Sequence, residues 1–174
     1  VNGLVKQLDA MGYLDGANRI TDAGRAALAP YRVDNAVIMA AGMSSRFAPL
    51  SYEKPKALLK VKGEVLIERE IRQLQAAGID DITVVVGYMK EKLFYLEDRF
   101  HVKIVINEDY HRYNNPSTLM LVRDRLKNTF ICSSDNYFEQ NPFEPYVYQA
   151  YYASLYSAGK TDEYCMVTNR KGRI

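Results

Sequence analysis

The residues best suited to chemistry gather in one stretch, residues 36–63, which read AVIMAAGMSSRFAPLSYEKPKALLKVKG. An apolar run ends in Ala40-Ala41-Gly42, and Met43-Ser44-Ser45 lead to Arg46. Gly42 permits a sharp turn and close backbone approach, and the amides that follow can point at one spot where phosphate oxygens are held. Arg46 adds a fork of donors, and Lys54 and Lys56 add cations a few residues on. The two better-known phosphate loops are absent, since neither G-x-G-x-x-G nor G-x-x-x-x-G-K-[ST] occurs here.

Other segments carry the remaining polar chemistry. Phe130-Ile131-Cys132-Ser133-Ser134-Asp135-Asn136 is an apolar run ending in a carboxylate. By residue type alone, Asp135 fits a metal ligand or a cap for the segment that follows. Asn114-Asn115-Pro116-Ser117-Thr118 offers amides and hydroxyls that can read a base or ribose at a helix start, and it equally fits an ordinary N-cap with proline in the first turn. Of the 14 tyrosines, Tyr110, Tyr113, Tyr137, Tyr146, Tyr148, Tyr151 and Tyr152 fall around or after these segments. Aromatic faces attract quaternary ammonium groups, although any single ring can be a core residue instead. His101 and His111 receive no role.

These groups need elements to position them. Strands are expected at Ala36–Ala41, Ile82–Val86, Val102–Ile106 and Thr129–Cys132, each a short apolar run. Helices are expected between them. Glu64–Ala77 carries Ile67, Ile71 and Leu74 on one face, Met89 to Phe100 carries Leu93 and Leu96, and Pro116–Leu126 carries Leu119 and Val122. Strand and helix in alternation imply an α/β fold with a mostly parallel sheet and helices on both faces. Ligands of such sheets bind beyond the carboxyl ends of the strands, so functional residues are expected just after Ala41, Gly87, Asn107 and Ser134.

The first 30 residues differ in texture. Leu4, Leu8 and Met11 mark one helical face, a turn passes through Gly16-Ala17-Asn18, and Thr21 is placed to cap a second helix that Pro30 stops. This order resembles the carboxy-terminal half of a winged-helix domain, which sets a boundary between a partial winged-helix segment at 1–32 and a main domain at 33–174. The helices that would complete a DNA-reading unit are not in the sequence, so DNA is not an expected partner of this chain.

Composition sets the outer bounds. In 174 residues, 23 basic side chains stand against 21 acidic ones, and a net charge of +2 does not mark a nucleic-acid binder. The two cysteines, Cys132 and Cys165, sit in short apolar runs without metal-knuckle spacing and are expected to be buried thiols on strands. No apolar stretch approaches the about 20 residues a membrane-spanning helix needs, and no leader pattern opens the chain, so the expectation is a cytoplasmic protein.

The 36–63 stretch resembles the nucleotidyltransferase family that activates sugar phosphates and phosphocholine, whose signature runs roughly L-A-A-G-x-G-[ST]-R-[FL]-x-P-L-T and then P-K-A-L. The matching residues are Met39 to Gly42, Ser45-Arg46-Phe47, Pro49-Leu50-Ser51 and Pro55-Lys56-Ala57-Leu58, with Ser44 where the family has glycine. The wording around Ser45 and at Ser133-Ser134-Asp135-Asn136-Tyr137 is most similar to the bacterial choline-phosphate cytidylyltransferase branch.

The resemblance implies a Rossmann-like fold of the nucleotide-diphospho-sugar transferase type and transfer of CMP from CTP to phosphocholine. It implies Arg46 and Lys56 as catalytic groups and a nucleotide site built from Ala40, Ala41, Gly42, Met43, Ser44, Ser45, Arg46, Asn115, Ser117 and Ser134. It further implies an acceptor site at Lys56, Tyr137 and Tyr152 and magnesium (Mg2+) on Asp135. The family's second metal-binding aspartate comes well downstream, and the late acids Asp162 and Glu163 are poor substitutes, so the main domain is expected to be incomplete at its C-terminal end. Similar proteins carry an upstream winged helix and a choline kinase-like domain. Two alternatives stay open at this point: a sugar-1-phosphate nucleotidyltransferase using UTP, dTTP or GTP, and a non-catalytic nucleotide-sensing module.

Overall fold

The computed structural model describes residues 2–113, 115–155, 159–160, 165–166 and 169–170. Asn114, Asp162 and Glu163 lie outside the described residues. Helix α1 (Asn2–Ala10) is followed by a turn at Gly12, whose φ of 74° is a left-handed value that glycine reaches without a Cβ penalty. An isolated antiparallel bridge joins Leu14 and Ile20, and α2 (Asp22–Leu28) follows. Thr21 caps α2 by accepting the Gly24 amide at 3.1 Å. Leu4 and Met11, two of the three residues expected on an apolar face, remain exposed.

The chain then enters β1 (Asn35–Ala40), which the β-branched and small residues of NAVIMA favour. A loop and a small hairpin follow, β2 (Lys60–Val61) against β3 (Glu64–Val65). Helix α3 (Leu66–Ala76), β4 (Ile82–Val86), α4 (Tyr95–Phe100), β5 (Lys103–Ile106), α5 (Asn115–Leu121) and β6 (Thr129–Ser133) complete the described elements. The main sheet has the order β5-β4-β1-β6, and every neighbouring pair is parallel. Register sets Ala40 beside Val86 and Met39 beside Ser133, so the strands open onto the same edge.

Helices cover both faces of the sheet. On one side, Ile38, Val84 and Val86 pack with Ile67, Ile71 and Leu74 of α3 and with Leu96 of α4. On the other, Val37 and Val85 pack with Val122 and with Leu119 of α5. Each fully buried aliphatic chain contributes about 1.5–3 kcal/mol relative to exposure, so the three α3 residues alone fix that helix to the sheet.

Several expected boundaries shift. Glu64 belongs to the hairpin rather than to α3, because Lys62 and Gly63 take φ of 50° and 85°, the left-handed pair that a two-residue hairpin turn requires. The helix expected over Met89–Phe100 is divided. Met89 is left-handed (φ 51°), Lys90–Leu93 forms a single 3-10 turn, and only Tyr95–Phe100 is α-helical. Pro116–Leu126 divides likewise, since Val122 leaves helical geometry (φ −117°, ψ 12°) to pack beneath the sheet. Cys132 is buried on β6 as expected, whereas Cys165 is exposed and lies on no strand.

Candidate active site

Beyond β1 the chain runs through Gly42 into 3-10 turns at Ser45–Phe47, Leu50–Tyr52 and Lys56–Leu58. The residue that takes the left-handed conformation is Ser44, at φ 52° and ψ 39°. Gly42 keeps its φ outside that region, and a Cβ built on it meets nothing within 4 Å. The sharp turn expected at Gly42 therefore falls at Ser44, and the space around Gly42 is open to a ligand. Phe47 N donates to Ser44 O at 2.9 Å, which closes the first turn.

A cleft of about 510 Å³ opens at this edge of the sheet. It is lined by Ala40 at the end of β1, by Gly42, Ser44, Ser45 and Arg46 from the first loop, by Lys56 from the third turn, and by Ser134 and Asp135 just beyond β6. Parallel pairing of β1 with β6 brings these segments together, and Ser134 N donates to Met39 O at 3.2 Å to extend that pairing by one residue. Lys56 and Asp135 form an ion pair across the cleft, with side chains 32% and 33% exposed. The Lys56 ammonium also lies 4.8 Å from the centroid of the Phe47 ring. The Lys56 ammonium thus neutralises the Asp135 carboxylate in this arrangement.

Beneath this floor lies Glu70 of α3, 1% exposed, with no partner for either carboxylate oxygen among the described residues. Burial, with the nearby Asp135 charge as a second cause, pushes Glu70 up to about 8. Burial, with Glu70 as the second cause, also raises the Cys132 thiol well above its ordinary value, so it is a poor nucleophile.

Ala41, Met43, Tyr137 and Tyr152 are not among the residues that line the cleft. Ala41 is buried behind it and Met43 is exposed. Asn115 and Ser117 lie on α5, which is tied to the end of β5 by a 3.1 Å bond from Asn107 Nδ2 to Thr118 Oγ1. Tyr137 is flanked by Arg69 and Lys62, 4.9 and 5.8 Å from its ring centroid. Arg69 also donates to the carbonyls of Phe138 and Glu139, so α3 grips the segment that follows Asp135. Tyr152 is exposed. Residue-level reasoning passed over Tyr88 and Glu70 and weighed Tyr110 only as one of seven rings near the site. The one signal for Tyr88 was its place just beyond Gly87.

Residues 36–173, which take in the whole cleft, match the MobA-like NTP transferase domain family. The chain belongs to this family. This MobA-like NTP transferase domain is 39% identical over 132 residues to the choline-phosphate cytidylyltransferase of Streptococcus pneumoniae, a match covering 76% of this chain and 58% of that protein. It is 37% identical over 144 residues to the 2-aminoethylphosphonate cytidylyltransferase of Lancefieldella rimae, covering 80% and 58%. The solved structure of the S. pneumoniae CTP:phosphocholine cytidylyltransferase is similar with a TM-score of 0.63 and 41% identity, over 66% of this chain and 50% of that one. The MobA-like NTP transferase chain therefore spans little more than half the length of these relatives.

Proposed function

We propose that this domain transfers CMP from CTP to phosphocholine, giving CDP-choline and pyrophosphate. The observation that carries the reading is the gathering of Arg46, Lys56 and Asp135 in one cleft at the carboxyl edge of a parallel sheet, with Lys56 and Asp135 in an ion pair. The relatives named for CTP favour cytidine over the nucleotides of sugar-1-phosphate enzymes.

In this reading a phosphate oxygen of the acceptor attacks the α-phosphorus of CTP. The bond from that phosphorus to the bridging oxygen breaks, and pyrophosphate carries the electron pair away. No covalent intermediate on the protein is required, so the work is alignment of two polyanions and neutralisation of charge as it builds. The Ser44–Arg46 backbone and the Arg46 guanidinium hold the β- and γ-phosphates. Lys56 leaves Asp135 for the α-phosphate or the acceptor phosphate.

Asp135 fits magnesium. One carboxylate would suffice for an ion completed by water and phosphate oxygens, and the negative charge that Asp135 brings to the cleft supports the assignment. When bound, magnesium neutralises phosphate charge at the reacting centre. Asn115 and Ser117 are the proposed contacts for the nucleoside and Ser134 for a phosphate. Tyr137 and Tyr152 are proposed for the quaternary ammonium, a role supported by the way the Tyr137 ring already draws two cationic side chains.

The winged-helix reading of residues 1–32 is kept as a proposal, supported by the helix, bridge, helix order. A neighbouring choline kinase-like domain is a proposal resting on resemblance. A second acceptor, 2-aminoethylphosphonate, is favoured by the 37% identity to an enzyme named for it.

The test is pyrophosphate release by the full-length protein from CTP, UTP, dTTP and GTP, each with phosphocholine, 2-aminoethylphosphonate or glucose 1-phosphate, with and without magnesium. Turnover confined to CTP with an aminoalkyl acceptor and dependent on magnesium is expected. Nucleotide binding without turnover for any pair would instead indicate a sensing module.

A further inference from the structure

Arg46 and Lys56 ride on a loop made of separate 3-10 turns, at Ser45–Phe47, Leu50–Tyr52 and Lys56–Leu58. Single turns of this kind have poor hydrogen-bond geometry and no ladder to stiffen them. The exit of β4 supplies what they lack. Tyr88 N donates to Ala41 O at 3.2 Å, where the loop begins. Tyr88 Oη donates to Ser51 O at 3.0 Å, in its second turn, and Ser51 is only 3% exposed. Lys92 Nζ donates to the carbonyl of Glu53 two residues further on.

The approach of the two segments depends on Gly87. A Cβ there would lie 2.8 Å from Ala41 O and 2.8 Å from Cβ of Tyr110. Tyr110 in turn backs Tyr88, with ring centroids 6.4 Å apart.

We propose that Tyr88 is a positioning residue for triphosphate binding, its hydroxyl fixing the Ser51 carbonyl and so holding the loop in the shape that brings Arg46 and Lys56 to one cleft. The proposal rests on the reading of the cleft as the triphosphate site. Tyr88 acts through the loop and not through the nucleobase, so its effect is the same for a ligand that has no base.

Tyr88→Phe removes one hydroxyl from a half-buried ring. Wild type and variant full-length protein are compared by calorimetry with inorganic triphosphate and with CTP, both with magnesium, and by hydrogen exchange of residues 43–56 without ligand. Affinity for both ligands is expected to fall about three- to tenfold, as for loss of one hydrogen bond. The KM for CTP should rise by the same factor. Exchange in 43–56 should quicken.

A loss for CTP alone would mean that Tyr88 reads the base, and would overturn the proposal. Unchanged affinity and exchange would overturn it too. If wild type binds neither ligand, the cleft reading falls and this proposal with it; binding that the variant retains in full sinks the proposal alone.

Discussion

Ser44 sits in left-handed geometry (φ 52°) where the resembled motif has glycine. A side chain in that region costs roughly 1–2 kcal/mol, while glycine gives back about 0.5–1 kcal/mol in unfolded-state entropy. Strain outweighs entropy, so Ser44→Gly is expected to raise unfolding free energy by about 0.5–1 kcal/mol, read by denaturant titration. A loss of stability would mean that the serine hydroxyl holds the loop more strongly than its backbone strains it. The departure at Ser44 was visible in the sequence, but the conformational demand was assigned to Gly42, because φ is not written in residue type. Arg46, Lys56 and Asp135 were legible as chemistry. Their meeting was not, since Lys56 and Asp135 are 79 positions apart and join only through the parallel pairing of β1 with β6.

The site depends on how closely the exits of β1 and β4 approach. Gly87→Ala would drive a methyl group into the Ala41 carbonyl and the Tyr110 side chain. Backbone has to shift there, so a destabilisation of about 1–3 kcal/mol is expected in the denaturation midpoint, with weaker triphosphate binding beside it. A variant as stable as wild type would mean that the two exits can part freely. The strands were legible to within a residue at each end, because a continuous apolar run such as Ile82–Val86 is a local signal. The β2–β3 hairpin was not, since two residues per strand carry no periodicity, although Lys62-Gly63 held the turn signal. Helices that break into 3-10 turns at Met89 and Val122 were overread, because an apolar face persists across a break that tertiary packing imposes.

Across the whole molecule, Glu70 couples stability to pH. Its carboxyl has an ordinary value of 4.5 and is pushed up to about 8 in the fold, first by burial and then by Asp135. Between those values the unfolded chain has released the proton and the folded chain still holds it, so stability falls as pH rises through that window and levels off above it. Glu70→Gln keeps the shape without the charge. It is expected to flatten this slope and to be more stable than wild type at pH 8, by on the order of a few kcal/mol, read from melting curves between pH 5 and about 9. An unchanged slope would assign the dependence to other groups.

The helices on both faces exist to hold one edge of the sheet, and the central claim is that this edge binds a triphosphate opposite a divalent ion. Crystals of the protein grown with CTP and manganese, with anomalous difference maps, test it most directly. The account predicts a manganese peak on Asp135, the triphosphate along residues 42–46, and Lys56 drawn from Asp135 to a phosphate. An empty cleft with the Lys56–Asp135 pair intact and the nucleotide elsewhere would contradict it.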